Sequence, residues 1–178
     1  MDTSAQFDAV TNSCKSVYLK KVKDYGSSWR VLRTISIVDQ LYIKAWRIRQ
    51  IQEKKSQLIA DSIESEFMAI VNYGLIALIQ FELNDNEARM ELSESEADQF
   101  YTDQLILVKA LMMQKNHDYG EAWRAMSQES FVDLILTKLA RIKQILANDG
   151  QTLISEGIDA NLHDIINYAV FALIRMRY

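Results

Sequence analysis

Apolar residues recur along most of the chain at the three- and four-residue intervals of an amphipathic helix, and no stretch alternates convincingly at the period of a strand. Phe7, Val10, Cys14, Val17, Tyr18 and Val22 predict a first helix from about Phe7 to Lys23. A second is expected from about Ile35 to Lys54. A third is expected from about Leu58 to Phe81, through Ile59, Ile63, Phe67, Ile70, Val71, Leu75, Ile76 and Ile79. The polar stretch Leu83-Asn84-Asp85-Asn86-Glu87 is turn-prone, and Ser93 with Glu96 then has capping-box spacing for a new helix start. The plan repeats after that point. A fourth helix should reach Asn116, a fifth should run from a cap at Ser127 to about Ala147, and Asn148-Asp149-Gly150 is a stop signal. The last helix is expected from near Thr152 almost to Tyr178, so the fold class is all-α.

The repetition extends to individual residues. The pattern Lys-x-x-Asp-Tyr-Gly-x-x-Trp-Arg occurs at Lys21–Arg30 and again at Lys115–Arg124. In the same register Val38-Asp39 falls on Val132-Asp133, Lys44 on Lys138, Arg47-Ile48 on Arg141-Ile142 and Gln50-Ile51 on Gln144-Ile145. After a one-residue slip Asn72-Tyr73 falls on Asn167-Tyr168, and Ala77-Leu78-Ile79 on Ala172-Leu173-Ile174. The chain is a tandem duplication of a unit of roughly eighty residues, within the size range of a compact domain. The expected organisation is a first copy over 3–82, a linker over 83–94 and a second copy over 95–178, each of three helices, packed as a pseudo-twofold helical bundle. A fused pair of this kind can mimic a symmetric dimer within one chain, and a further homodimer is left open.

Composition narrows the picture. The absence of proline and the presence of only five glycines leave few breakers, which favours long helices. A formal charge of −4 argues against a broad duplex nucleic-acid footprint while leaving room for a local basic pocket. Cys14 is alone, so no intrachain disulfide forms and a reducing compartment is expected. The first residues lack the basic start and apolar run of a signal peptide, and no stretch approaches eighteen unbroken apolar residues. These features predict a cytoplasmic protein without a membrane partner.

Candidate chemistry comes from polar residues placed against apolar faces. In the fifth helix Phe131, Leu134, Ile135, Leu139, Ile142, Ile145 and Leu146 form one arc, with Lys138 inside it and Arg141 on its border. Lys44 and Arg47 hold the same places in the first copy. A lysine aimed at a core needs a partner or a route to water. The last helix offers partners, because Glu156, Asp159, His163 and Asn167 share one stripe with Asp164 at its edge. Such carboxylates suit Mg²⁺, which takes a few carboxylates plus substrate phosphates, or they suit an ion-pair network with Lys138 and Arg141. The first copy has Asp61, Glu64, Met68 and Ala69 at the corresponding positions, so an active half is expected to be the second. Tyr119 and Trp123 (Tyr25 and Trp29 in the first copy) either stack on a planar base or plug each unit. Arg124 and Arg30 follow directly and suit phosphate.

The Lys-x-x-Asp-Tyr-Gly-x-x-Trp turn, Lys138-x-x-Arg141-Ile142, and Glu156-x-x-Asp159 leading to Asp164-Ile165-Ile166-Asn167-Tyr168 resemble the nucleotide modification associated domain 1 family, in two copies. That resemblance implies a helical domain of bacteria and phages linked to nucleotide or DNA-base modification. Glu156-x-x-Asp159 is also distantly similar to the second metal motif of MazG-type all-α nucleoside triphosphate pyrophosphatases. Their first motif, Glu-Glu-x-x-Glu, has no counterpart, and the corresponding helix carries Lys138 and Arg141. Together these readings predict a nucleotide-binding protein acting on a nucleotide or nucleoside phosphate, with Mg²⁺-dependent phosphohydrolysis as its chemistry. Glu156, Asp159 and Asp164 would hold the metal, and Lys138, Arg141 and Arg124 would face phosphate. Tyr119 and Trp123, beside Asp118, would hold the base, and His163 and Asn167 would orient water. The alternative is a non-catalytic helical scaffold with internal ion pairs.

Overall fold

Each helix begins and ends where local chemistry dictates. A computed structural model of the chain describes residues 2–83, 89–152 and 156–178. Helix α1 spans Thr3–Tyr25; its amino end is capped by the Asp2 side chain, which accepts from the Ala5 amide at 2.8 Å. It runs on through Asp24 and Tyr25 and stops at Gly26, whose φ of 65° a side chain would resist. A 3-10 turn at Ser28–Val31 carries Trp29 into the interior before α2, Thr34–Lys54. Helix α3 is Ile63–Leu83, followed in the second copy by α4, Glu94–Tyr119. The expected capping box at Ser93 and Glu96 is present, and Gly120 closes α4 as Gly26 closes α1. A second 3-10 turn, Ala122–Ala125, leads to α5, Gln128–Ala147, capped by Ser127, and α6 is Ile158–Arg177. Among the described residues there is no strand.

Two starts come later in the chain than expected. The third helix begins at Ile63 rather than near Leu58, because Arg47 on α2 takes the carbonyls of Ile59 and Asp61, and the Ser62 hydroxyl accepts from the Ser65 amide. Leu58 and Ile59 are left exposed. The last helix begins at Ile158 rather than near Thr152; Asn161 holds the Gly157 carbonyl at its start. Residues 84–88 of the expected linker lie outside the described residues.

The central pair is α3 against α6, flanked by α2 against α5, with α1 against α4 alongside. Exchanging the two copies leaves this pairing unchanged: α2 packs on α3 as α5 packs on α6, and α1 on α6 as α4 on α3. The copies share one hydrophobic core, drawn from all six helices. The approach of α3 to α6 depends on Gly74, where an added Cβ would lie 2.5 Å from Ile166 Cγ1. By length and composition α3 is apolar enough to cross a membrane, and 56% of that window is buried within the fold. A helix buried among its neighbours needs the same apolarity.

Asn72, the asparagine of the first duplicated Asn-Tyr pair, explains part of the join. The Asn72 amide donates to the Cys14 carbonyl at 3.1 Å, and Asn167 repeats this contact on Val108 at 3.4 Å. Asn72 Oδ1 accepts from the Tyr101 hydroxyl at 2.7 Å, and the Tyr101 ring stacks on Tyr18 with centroids 4.5 Å apart. The repeat places Phe7 where Tyr101 stands, and Asn167 Oδ1 is buried with no hydrogen-bond partner among the described residues.

Candidate functional site

The acid that meets the inward-facing lysine is Asp164. Helix α6 carries it next to α4 and α5, where Lys115 donates to Oδ1 at 2.5 Å and Lys138 lies 2.7 Å from Oδ2. The carboxylate side chain is only 9% exposed. Burial would raise its pKa, but the hydrogen bonds from the two lysines outweigh burial and hold it below the ordinary value. Lys115 shows the reciprocal effect: burial acts to lower its pKa, and the bond to Asp164 carries it above the usual value. Lys115 and Lys138 thus form a paired cationic clamp closed on one carboxylate.

The remaining expected site residues are dispersed in role. His163 is half-buried, its Nε2 lacks a partner, and burial holds its pKa below the ordinary value. Asn167 is buried, and its amide is occupied by the Val108 carbonyl. Trp123 is buried; Phe171 stacks on it with centroids 4.3 Å apart, the Arg124 guanidinium lies 4.3 Å from its ring centroid, and its N–H donates to Asn116. Its ring is therefore held by packing and a cation–π contact. Arg124 is tied to Glu121, Thr3 and Gln6, joining the second turn to the first helix. Tyr119 is 72% exposed, and Asp118 is exposed with only His117 beside it. Arg141 is exposed and makes no hydrogen bond or ion pair among the described residues. Glu156 and Asp159 are exposed too.

The donor set does not fit Mg²⁺. Among the described residues no group of three or more His, Cys, Asp or Glu side chains is placed to hold a metal ion. Asp164, the buried carboxylate of the expected trio, gives both oxygens to lysines.

A cavity lies in the first copy. A cavity of about 450 Å³ is lined by Lys21, Tyr25, Trp29, Lys44, Asp61, Glu66, Met68, Ala69, Asn72, Tyr73 and Ile76, among others. These are the repeat equivalents of Lys115, Tyr119, Trp123, Lys138, Glu156, Asn161, His163, Asp164, Asn167, Tyr168 and Phe171. The lysine pair recurs, but Asp164 is replaced by Ala69 and the Phe171 ring by the shorter Ile76. Lys44 is shared with Glu66 at 3.3 Å, while Arg47 takes the other Glu66 oxygen at 2.5 Å. Lys21 is exposed, with no ion pair or hydrogen bond among the described residues. The volume falls in the range of about 300–1,000 Å³ typical of small-molecule sites. Lys21 and Lys115 escaped the periodicity argument because they sit near helix ends, away from an apolar arc. The available signal was that each opens the duplicated motif.

Residues 21–81 and 115–176 match the family described as nucleotide modification associated domain 1. The chain belongs to that family. Each matched segment opens on the motif lysine and runs through the closing helix of its copy, so the family unit contains the lysine pair, the aromatic turn and the Asn-Tyr pair. No curated protein and no solved structure matches the chain, and the more distant likeness to MazG-type pyrophosphatases finds no support.

Proposed function

We propose that the protein is a nucleotide-binding module whose working site is the first-copy cavity. The observation that carries this reading is a concave site in which two lysines from different helices meet aromatic walls, within a family described by nucleotide modification. Lys21 and Lys44 match phosphate charge, and the exposed Tyr25 with Tyr73 and Met68 offers flat and adaptable surface for a base. Pockets of this kind bind through an apolar wall and a few fixed polar groups. The second copy supports a structural role for its own half: Asp164, Arg124 and Trp123 are all engaged by protein groups.

A thermal-shift panel of ribo- and deoxyribonucleotides tests the reading without magnesium and with it. A ligand at about a hundredfold its dissociation constant adds about 2.7 kcal/mol of stability. In a chain of this size that is a rise of roughly 5–11 °C in Tm. Lys21→Met, which disturbs no ion pair among the described residues, should remove the rise and leave the unliganded Tm unchanged. No shift with any nucleotide would refute the binding role and favour the helical scaffold.

A further inference from the structure

We infer that the second copy holds the same anion site filled from within, with the Asp164 carboxylate standing where the first copy receives the phosphoryl group of its ligand. The inference rests on the nucleotide reading of the first-copy cavity and adds the chemical class its lysines select, a single phosphoryl group. Lys115 and Lys138 descend from α4 and α5 as Lys21 and Lys44 descend from α1 and α2, at equivalent positions of the repeat. In the second copy one buried carboxylate bridges them at 2.5 and 2.7 Å. In the first copy the bridging position is Ala69, a methyl group on the cavity wall, and Lys21 has no ion pair among the described residues.

Glu66 does not duplicate the bridge. It lies one helical turn before Ala69, and its ion pairs are with Lys44 and Arg47. The clamp in the first copy is therefore open on the Lys21 side. A phosphate monoester carries between one and two negative charges at neutral pH and presents several acceptor oxygens, so it can bridge two ammonium groups as Asp164 does.

Two further replacements accompany the filling. Phe171 stands where the first copy has Ile76, and its ring lies on Trp123. Asn116 stands where the first copy has Val22 and accepts the Trp123 N–H at 3.1 Å, whereas the Trp29 N–H is buried without a partner among the described residues. A carboxylate between the lysines, a ring in the apolar space and an acceptor for the indole together convert a site into a core. The duplication thus separates one binding copy from one self-occupied copy.

Reciprocal exchange tests this, using radiolabelled inorganic phosphate and equilibrium dialysis at constant ionic strength. The wild-type chain should bind one phosphate. Ala69→Asp should weaken that binding about tenfold or more, by supplying the internal carboxylate, while keeping or raising the unliganded Tm. Asp164→Ala with Phe171→Ile should bind two phosphates. Should the double variant prove too unstable to dialyse, Asp164→Ala alone should regain Tm with phosphate and not with chloride. The inference is overturned if Ala69→Asp binds as the wild type does, if the double variant binds one phosphate through the first copy alone, or if phosphate and chloride act alike on Asp164→Ala. A wild-type chain that binds no phosphate, beside a double variant that binds one, would sink the first-copy site and leave the self-occupied site standing.

Discussion

Replacing Tyr101 by Phe removes one oxygen from the join between the copies and nothing else. The side chain is fully buried, and its hydroxyl donates to Asn72 Oδ1 at 2.7 Å. Burial pushes its pKa well above the ordinary phenol value, so the hydroxyl is a donor at neutral pH. The ring and its stacking on Tyr18 are retained in the variant, so no packing loss is added. What remains is an amide oxygen, buried and without a donor, at a cost of about 1–3 kcal/mol. For a chain of this length that lowers Tm by roughly 2–12 °C, at about 2–4 °C per kcal/mol. Urea titration followed by circular dichroism measures it, and an unchanged slope would assign the loss to the native state. Phe7→Tyr is the mirror experiment, since Asn167 Oδ1 lacks the donor that Asn72 has; it should gain about 1 kcal/mol. A Tyr101→Phe variant as stable as the parent would refute the claim that Asn72 pins the copies together.

Two other outcomes follow from the same packing. Gly74→Ala places a methyl 2.5 Å from Ile166 Cγ1 and should destabilise by about 1–3 kcal/mol despite the better helix propensity of alanine. Adding Ile166→Ala should make the pair less damaging than the sum of the singles, and simple additivity in a double-mutant cycle would exclude the steric cause. His163 responds to pH: burial, aided by Lys115 and opposed by Asp159 and Asp164, holds its folded pKa below the ordinary value of about 6.5. Between those two values the unfolded chain binds the proton and the folded chain does not. This contribution is therefore present above about pH 6.5, falls as pH drops below it, and levels off under the folded pKa. His163→Met, which installs the residue of the first copy, should flatten that part of the stability–pH curve, and identical slopes in the two proteins would disprove the assignment.

Much of the architecture was legible because it is local. Helical periodicity, the two glycine stops, and the caps at Ser93 and Ser127 depend on residues a few positions apart, and all are present. The inward lysines were legible too, as cations on an apolar arc, and Lys138 and Lys44 each have a buried acid. The start of α3 was not legible, since it is set by Arg47 reaching across to two carbonyls. The same limit applies to the roles of the aromatic turn. Trp123 and Tyr119 share one motif, yet one is buried against Phe171 and the other is exposed.

By itself the sequence determined the helices, the duplication, the family and the face on which Lys44 and Lys138 emerge, because these follow from spacing along one chain. Tertiary structure alone decided that Lys115 closes on Asp164 from 49 positions away, and that a cavity opens in the first copy at the equivalent place. A cavity is a difference in volume between side chains on separate helices. Ala69 and Ile76 enclose space only in relation to what they face, and a helix carries no record of its neighbour until the two are packed.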